Sequence, residues 1–379
     1  MPSPIRVGLI GLGRHTGTNV PGLWGAKVHL PYLLASPKYQ VTAIANSTIE
    51  SAQAAIDTHN LGPDVKAYGS PEDIAKDPNV DMVIVSVKVG AHYALSKPAL
   101  LAGKSVFVEW PLGSSTEESE ELAQLAKAHG SKTIVGLQAR ASPLVIKIKE
   151  LISSGKIGKV LSSTVISSFG GVPPFGTWPE GAEYYLDMNS GSNQFVVYFG
   201  HFLDSFVHVL GDFKSLKSSL RTDYPTTDIV DASGAIITKN HPKTSPDNIQ
   251  LQGTLESGAS VSIAYYTFPG PAIDGTGIRW MITGTEGQIE ITTPEMQWQM
   301  GPPGTVLKVR LGREKEVEVV DFENVVGEEQ AVKKMNFPGV NTARLYQAFV
   351  DGKMEVFPDF KDAVKTHRLL DWIRREAGW

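Results

Sequence analysis

The sequence predicts an α/β protein with two domains. A doubly wound parallel sheet is expected over residues 1–140, and a C-terminal α/β domain with a large, mostly antiparallel open sheet over residues 141–379. Apolar runs in the first part occupy consecutive positions, as strands covered on both faces do, and helical patterns separate them. After about residue 140, apolar and polar residues alternate between short turns, which is typical of antiparallel strands.

Five strands and three helices are predicted in the N-terminal domain. The strands fall at 5–10, 41–45, 82–87, 105–109 and 133–137, and the helices at 49–59, 92–101 and 116–129. The last helix is the best delimited, because Ser115 and Glu118 have capping-box spacing and Gly130 follows its end. Strands and helices that alternate at this spacing form parallel sheets with right-handed crossovers.

The C-terminal domain is predicted to begin with a helix and to continue with strands. The helix covers 142–154, the strands cover 160–168, 248–255, 261–268, 280–283 and 288–292, and the tail at 342–379 is helical. Turns such as Glu256-Ser257-Gly258 separate several of the strands. Residues 239–246 and 301–304 are predicted to be loops from their Pro, Gly and polar content.

A glycine turn follows the first strand. The apolar run 5–10 ends in Gly11-Leu12-Gly13, the arrangement with which a dinucleotide-binding fold brings its backbone to a pyrophosphate. The third glycine of that motif would fall at Thr16, and a polar, Gly-rich stretch over 14–25 stands there instead. Turn glycines occur in many folds, but the position after a buried strand favours cofactor binding.

Composition excludes several classes of function. The chain has 379 residues, a net charge of −5 and no cysteine, so disulfides, thiolate catalysis and Cys-ligated zinc are excluded. An acidic chain disfavours direct nucleic-acid binding. No apolar run reaches the roughly 18 residues of a membrane span, and the start of the chain leaves no room for a signal peptide, so we expect a cytoplasmic protein. No metal motif is present.

The end of the second strand bears on cofactor choice. An NAD-specific site places an acidic residue there for the ribose 2′-hydroxyl, whereas this chain has Asn46-Ser47. A neutral end tolerates a 2′-phosphate, to which Arg14 would supply charge. The sequence therefore favours NADP over NAD and leaves both open.

Four ordered segments resemble the glucose-fructose oxidoreductase and inositol dehydrogenase family. They are Val7 to Gly13, Phe107 to Leu112, Val135 to Arg140 with the helix that ends near Gly158, and Gly191 to Asp204, which ends in His201-x-x-Asp204. The resemblance implies a Rossmann domain, a C-terminal domain with an open sheet that pairs in a homodimer, and substrate bound between the two domains. It also implies that the last helices, about 342–379, pack back near the first domain.

The chain departs from the family at the residues that handle protons. Trp110 stands where most members have a lysine beside the nicotinamide, and tryptophan has no titratable proton. Val197 replaces an aspartate, and Val87-Lys88-Val89 replaces Thr-Pro-Asn, although His92 remains. These departures resemble the branch of the fungal galactose-pathway repressors, which bind a nicotinamide dinucleotide and grip an activator protein.

The candidate catalytic residues share one helix face. They are His201, Tyr198 as a possible relay, and Asp204. A histidine in an apolar helix is more often structural. The family resemblance favours a catalytic role for His201 over a structural one. Because histidine titrates near neutrality, we expect turnover to change with pH in that range through His201.

The other candidate site residues lie at strand ends and before the helix. Cofactor contacts are expected from Gly11, Leu12, Gly13, Arg14, Asn46, Ser47, Ser86, Val87, Lys88, His92, Glu109, Trp110 and Gln138. Substrate contacts are expected from Trp110, Arg140, Tyr184, Tyr185, Asp187 and Asn193.

The leading function is an NAD(P)-dependent oxidoreductase that acts on a hydroxyl or carbonyl of a sugar, polyol or similar small metabolite. The first alternative is a cofactor-binding transcriptional regulator that holds an activator peptide, for which a nuclear location is also open. The second is a non-redox lyase or isomerase that uses the bound cofactor.

Overall fold

A computed structural model describes residues 3–14, 22–169, 176–267, 272–295, 297–312 and 316–379. The chain divides into two compact units. The N-terminal unit comprises residues 1–138, 190–192 and 328–367, and the C-terminal unit comprises residues 139–189, 193–327 and 368–379.

The N-terminal unit contains a six-stranded parallel sheet with the order β3-β2-β1-β4-β5-β6. Its strands are β1 (Ile5–Ile10), β2 (Tyr39–Ala45), β3 (Lys66–Tyr68), β4 (Met82–Val85), β5 (Ser105–Val108) and β6 (Thr133–Val135). The strand order reverses at β1, so the carboxyl ends of β1 and β4 flank the switch point where ligands bind in open α/β sheets. The predicted doubly wound sheet is confirmed.

Helices connect these strands. They are α1 (Leu30–Ala35), preceded by a π-helical turn (Gly25–His29), α2 (Ile49–Thr58), α3 (Pro71–Lys76), α4 (His92–Leu101) and α5 (Thr116–His129). The predicted ends of α5 are confirmed, because the Ser115 side chain accepts a hydrogen bond from the Glu118 amide and Gly130 has a φ of 67°. Sequence reasoning missed β3 and α3, which are only 3 and 6 residues long.

The C-terminal unit is built on an eight-stranded sheet with the order β17-β16-β15-β14-β7-β13-β12-β9. Its strands are β7 (Val160–Phe169), β9 (Phe213–Arg221), β12 (Asn248–Leu255), β13 (Ser260–Thr267), β14 (Ile278–Gly284), β15 (Gly287–Thr293), β16 (Val306–Leu311) and β17 (Glu318–Val319). Within this eight-stranded sheet the β7–β13 pair is parallel, and the other described pairs are antiparallel. The predicted mostly antiparallel sheet is confirmed.

A smaller three-stranded sheet accompanies it, with the order β11-β10-β8. It comprises β8 (Thr177–Pro179), β10 (Thr226–Val230) and β11 (Ile236–Pro242). The loop predicted at 239–246 is wrong over its first half, because β11 continues to Pro242. Backbone pairing of β11 with β10 outweighs the polar, Pro-containing composition that suggested a loop.

Helices α6 (Pro143–Ser153) and α7 (Gly200–Leu210), the latter preceded by a π-helical turn (Phe195–Phe199), belong to the C-terminal unit. Nine of the eleven α7 residues are buried, so this helix forms the centre of the unit's core. Three helices follow the sheet: α8 (Gln330–Lys333), α9 (Val340–Val350) and α10 (Phe360–Glu376). Residues 328–367 group with the N-terminal unit, where the Val135 amide donates to the Pro358 carbonyl at 2.9 Å.

Candidate cofactor and substrate residues

The glycine turn after β1 has a backbone that a side chain would disrupt. Gly11 has a φ of 96°, which L-residues rarely adopt, and a Cβ at this position would collide with the Ser86 carbonyl oxygen. Leu12 is buried, and Arg14 is exposed. The turn therefore presents bare backbone at the sheet's switch point, as a pyrophosphate site requires.

Two further glycines complete this turn. A Cβ on Gly25 would lie 3.0 Å from the Gly11 carbonyl oxygen, and a Cβ on Gly22 would collide with the Gly13 amide nitrogen. The Gly13 amide donates a 3.2 Å hydrogen bond to the Gly22 carbonyl. Gly25 thus allows the close helix packing expected of the third motif glycine, although the motif's spacing points to Thr16. Residues 15–21 lie outside the described residues.

Side chains of neighbouring elements hold the turn in place. The Asn46 amide donates to the Leu12 carbonyl at 3.0 Å and to the Ser51 carbonyl at 3.2 Å. His59 Nε2 donates to the Gly13 carbonyl at 2.8 Å. Both amide hydrogens of Asn46 are therefore used within the protein, and Ser47 beside it is exposed. His59 was not among the predicted residues.

The loops after β4 and β5 are joined by His92. Its Nδ1 lies 2.8 Å from the Pro111 carbonyl oxygen and its Nε2 lies 3.1 Å from the Val87 carbonyl oxygen. Burial lowers the pKa of His92. Since both ring nitrogens face backbone oxygens, we interpret His92 as a support for these loops, while its predicted cofactor contact stays a prediction. Lys88, which follows Val87 in the loop after β4, is exposed.

Buried polar atoms at the carboxyl edge provide the test of whether a dinucleotide fits. Ser86 and Gln138 are 3% and 1% exposed. Within the described part of the chain, neither Ser86 Oγ nor Gln138 Oε1 has a hydrogen-bond partner. Polar atoms buried in this way are costly unless something binds them. Together with the bare glycine turn, they fit a dinucleotide.

Glu109 and Trp110 follow β5. Glu109 Oε1 lies 2.8 Å from Nε2 of His29, a buried residue that sequence reasoning missed. Trp110 is 5% exposed, and its ring lies 4.7 Å from the ring of His367 on α10. Burial lowers the pKa of His367 to about 4. The Trp110 ring therefore packs on an imidazole that is uncharged at neutral pH.

In the C-terminal unit, Arg140 and Asp204 bind each other. Arg140 Nε donates to Asp204 Oδ2 at 2.9 Å and Arg140 Nη2 donates to Asp204 Oδ1 at 2.7 Å. Both side chains are buried. This bidentate pair favours a positioning role for both residues over the proton-handling and substrate-binding roles that we expected. Those two roles stay predictions.

His201 lies on α7, three residues before Asp204, and is 6% exposed. Burial lowers the pKa of His201 to about 3. Charging an imidazole in an apolar core is unfavourable, so the ring is neutral throughout the physiological range. The prediction that His201 titrates near neutral pH, and so shapes the pH profile of turnover there, is therefore wrong for the unliganded protein.

A group of tyrosines surrounds Tyr198. The Tyr198 and Tyr185 rings stack with centroids 5.6 Å apart and an angle of 4°, and Tyr184 stacks on Tyr185 at 4.6 Å. Burial raises the pKa of Tyr198 and of Tyr265, a β13 residue whose hydroxyl has no hydrogen-bond partner among the described residues. These phenols keep their protons, so they can donate hydrogen bonds to a bound oxygen.

The segment before α7 is fixed by hydrogen bonds. Asn193 donates to the Met188 carbonyl at 2.8 Å and accepts from the Val196 amide at 3.0 Å, so its side chain supports the helix start. Asp187 is exposed and accepts from the Asn189 amide at 2.9 Å. Their predicted substrate contacts stay predictions.

The described ranges contain no group of three or more His, Asp or Glu side chains placed to hold a metal ion. None of their helices has the length and apolar character that crossing a bilayer needs.

Two family models match the chain in succession. Residues 5–137 match the oxidoreductase family with an NAD-binding Rossmann fold, and residues 143–293 match the Gal80p C-terminal domain. The chain is 31% identical over 381 residues to dehydrogenase aclE of Aspergillus oryzae, covering 100% of this chain and 97% of the relative. The chain belongs to the GFO/IDH/MocA oxidoreductase family. The resemblance inferred from the sequence is confirmed.

The regulatory branch of the family is also similar. The galactose/lactose metabolism regulatory protein GAL80 of Saccharomyces cerevisiae is 31% identical over 264 residues, which cover 68% of this chain and 59% of that protein. The crystal structure of a super-repressor mutant of Gal80p from the same yeast has a TM-score of 0.84 at 26% identity, covering 99% of this chain and 96% of that one. The family thus includes both a dehydrogenase and a regulator among the relatives of this chain.

Proposed function

We propose that this protein is an NAD(P)-dependent oxidoreductase acting on a hydroxyl or carbonyl of a sugar, a polyol or a similar small metabolite. The observation that carries the proposal is the extent of the match to a dehydrogenase, which includes 97% of that relative. The sequence match to the yeast regulatory protein includes 59% of its length, while the structural match includes 96% of its chain.

The dinucleotide, when bound, supplies the hydride acceptor or donor. The backbone of Gly11, Leu12 and Gly13 would hold its pyrophosphate, and Ser86 and Gln138 would bind it through their buried polar atoms. The glycine turn supports this proposal because it leaves no space for a Cβ at Gly11.

NADP is the preferred cofactor in this proposal. The end of β2 has no carboxylate, and the amide hydrogens of Asn46 are already used. Exposed Ser47 and Arg14 would bind a 2′-phosphate. Arg14→Gln should weaken NADPH binding and leave NADH binding unchanged.

His201 would handle the reacting oxygen. A neutral imidazole can donate a hydrogen bond to a carbonyl and stabilise the negative charge that develops on its oxygen. Tyr198, whose buried phenol stays protonated, would relay a proton. Neither role needs a histidine that titrates near pH 7, so turnover should show no limb near neutrality from free His201.

Calorimetric titration with NADPH and NADH tests cofactor binding. Gly13→Val places a branched side chain where the pyrophosphate approaches and should abolish binding. Equal binding by the wild type and the variant would refute the assigned site. Tighter NADH than NADPH binding in the wild type would reverse the proposed preference.

A panel of sugars and polyols, followed at the absorbance band of reduced nicotinamide, tests the redox reaction. Turnover of one compound would support the oxidoreductase. Conversion of substrate without net change in the cofactor would favour the lyase or isomerase alternative.

A regulator is the second candidate function. The match of residues 143–293 to the Gal80p C-terminal domain favours it, as does the Trp110–His367 ring contact where a lysine is usual. Such a protein would bind an activator peptide and would act in the nucleus. Cofactor binding without turnover of any panel compound, together with capture of an acidic activator segment, would favour this function.

A homodimer is proposed through the open face of the large sheet. On β7, Ile166 is 50% exposed, although its neighbours on the opposite face are buried. Sedimentation of wild type and Ile166→Glu tests this, and a monomeric wild type would contradict it.

A further inference from the structure

The Glu109 carboxylate is held between two groups in the N-terminal unit. Its Oε1 lies 2.8 Å from His29 Nε2, an ion-pair distance, although neither atom makes a hydrogen bond in the described part of the chain. The side chain of His29 is fully buried and that of Glu109 is 13% exposed. On the other side, the carboxylate lies so close to Gly136 that a Cβ there would collide with Glu109 Oε2. The carboxylate is thus confined between His29 and Gly136 and retains a small exposed surface.

The other ring nitrogen of His29 makes a hydrogen bond. Nδ1 lies 2.6 Å from the hydroxyl oxygen of Tyr346, which is on α9. Burial, and to a smaller extent neighbouring groups that include Glu109, raise the pKa of Tyr346, so the phenol keeps its proton. A phenol that keeps its proton can donate to Nδ1, and the ring proton of His29 is then on Nε2, which faces Glu109.

Aromatic packing fixes Tyr346. Its ring stacks on Tyr32 at 5.6 Å and on Phe107 at 5.1 Å. The Tyr39 hydroxyl donates to the backbone carbonyl of Tyr346 at 2.8 Å. Tyr32 and Phe107 thus pack against the ring that contacts His29, and Glu109 follows β5 at the carboxyl edge, where open α/β sheets bind ligands.

We infer that His29, supported by Tyr346, is a positioning residue that holds the Glu109 carboxylate to accept a hydrogen bond from a hydroxyl or amide of the bound dinucleotide. A carboxylate is an acceptor alone, so its ligand must be a donor, as ribose hydroxyls and the nicotinamide amide are. The inference rests on the proposed cofactor binding. It assigns a function to two residues that lie 317 positions apart in the sequence.

The test compares two tyrosines of the N-terminal unit. Tyr346→Phe removes the hydroxyl that contacts His29, whereas Tyr93→Phe removes a hydroxyl that donates to Glu121 and has no part in the array from Tyr346 through His29 to Glu109. Calorimetry with NADPH and NADH should show about tenfold weaker binding for Glu109→Gln, since hydrogen bonds to charged groups are worth about this factor. Tyr346→Phe and His29→Gln should weaken binding several-fold, and Tyr93→Phe should not.

The coupling between sites separates positioning from a structural role. In the Glu109→Gln background, Tyr346→Phe should cause no further loss of affinity, because the carboxylate it positions is gone. Thermal unfolding of each variant is measured beside the titrations, and a structural role alone would lower the melting temperature without this coupling.

Several outcomes would overturn the inference. Wild-type affinity in Tyr346→Phe, or an equal loss in the wild-type and Glu109→Gln backgrounds, would overturn it while the proposed function stands. If His29→Gln does not fold, Tyr346→Phe still tests the inference, because it keeps the aromatic ring at position 346 and leaves His29 in place. If the wild type binds neither NADPH nor NADH, the proposed function fails and the inference fails with it.

Discussion

The N-terminal unit forms its candidate site from backbone at strand ends, whereas the C-terminal unit forms its candidate site from side chains buried around α7. At Gly11 and Gly25 the important property is the absence of a side chain. At His201, Tyr198 and the Arg140–Asp204 pair it is the environment of a side chain. The first kind of site should be sensitive to added atoms, and the second to removed ones.

The largest effect is expected at His201. His201→Ala should lower turnover by about 10²–10⁴-fold, because the reacting oxygen loses its hydrogen-bond partner, while cofactor affinity stays near that of the wild type. Tyr198→Phe should cost less if this residue relays a proton. Steady-state kinetics with the identified substrate and calorimetry with NADPH measure both quantities.

His208→Ala is the matched control, since His208 lies two turns further along α7 and its ring contacts Lys149 at 3.2 Å. It should keep turnover. Full activity in His201→Ala would remove the family-based role, and an unfolded His201→Ala would make that residue structural.

The Arg140–Asp204 pair should dominate the stability of the C-terminal site. Removing one partner of a buried pair leaves an uncompensated charge, so Arg140→Met alone should cost about 3–5 kcal/mol of unfolding free energy. Arg140→Met with Asp204→Leu should cost less than Arg140→Met, since no charge remains buried. Urea unfolding measures both, and additive losses would contradict a mutual role.

Acid should destabilise the protein through its buried histidines. His201 and His367 have pKa values lowered by burial to about 3 and about 4, whereas an unfolded histidine titrates near 6.5. Between pH 6.5 and 4 the unfolded chain binds more protons, so the unfolding free energy falls as pH falls. Each histidine should contribute about 1.4 kcal/mol per pH unit within that range.

Unfolding measured at pH 7 and pH 5 tests this dependence. His367→Gln should reduce the pH slope, because glutamine does not titrate. His129→Gln, at an exposed position on α5, should leave the slope unchanged. If the unfolding free energy of His367→Gln depends on pH as steeply as that of the wild type, carboxylates cause the loss of stability in acid.

The smallest effect is expected at Gly25. Gly25→Ala adds a methyl group 3.0 Å from the Gly11 carbonyl oxygen, which should move the turn slightly and weaken NADPH binding several-fold. The better helix propensity of alanine, about 1 kcal/mol, offsets part of the lost stability. Calorimetry beside thermal unfolding separates the two effects, and unchanged affinity would show that the turn tolerates added atoms.

Local sequence determined most of the N-terminal unit. The bounds of β1, α4 and α5 agree with the predicted segments because buried parallel strands are continuously apolar and caps have short-range signals. The Gly11-x-Gly13 turn likewise depends on neighbouring residues. The close packing expected of the third motif glycine occurs at Gly25, which was missed because it lies nine residues beyond Thr16, where the motif's spacing points.

The family resemblance identified His201, but not its chemistry. The pKa of His201 depends on burial within a core whose β7, β12, β13 and β14 residues come from distant parts of the chain. Only the tertiary structure revealed that Arg140 and Asp204 bind each other across 64 positions.

The same limit applies to His29 and Tyr346, which no sequence spacing could bring together with Glu109. Sequence by itself determined the fold class and the glycine turn, since each follows from local pattern or motif. Tertiary structure decided which titratable groups are neutral, which are paired and which carboxylate is held in place, because desolvation and long-range contacts arise only when distant segments pack together.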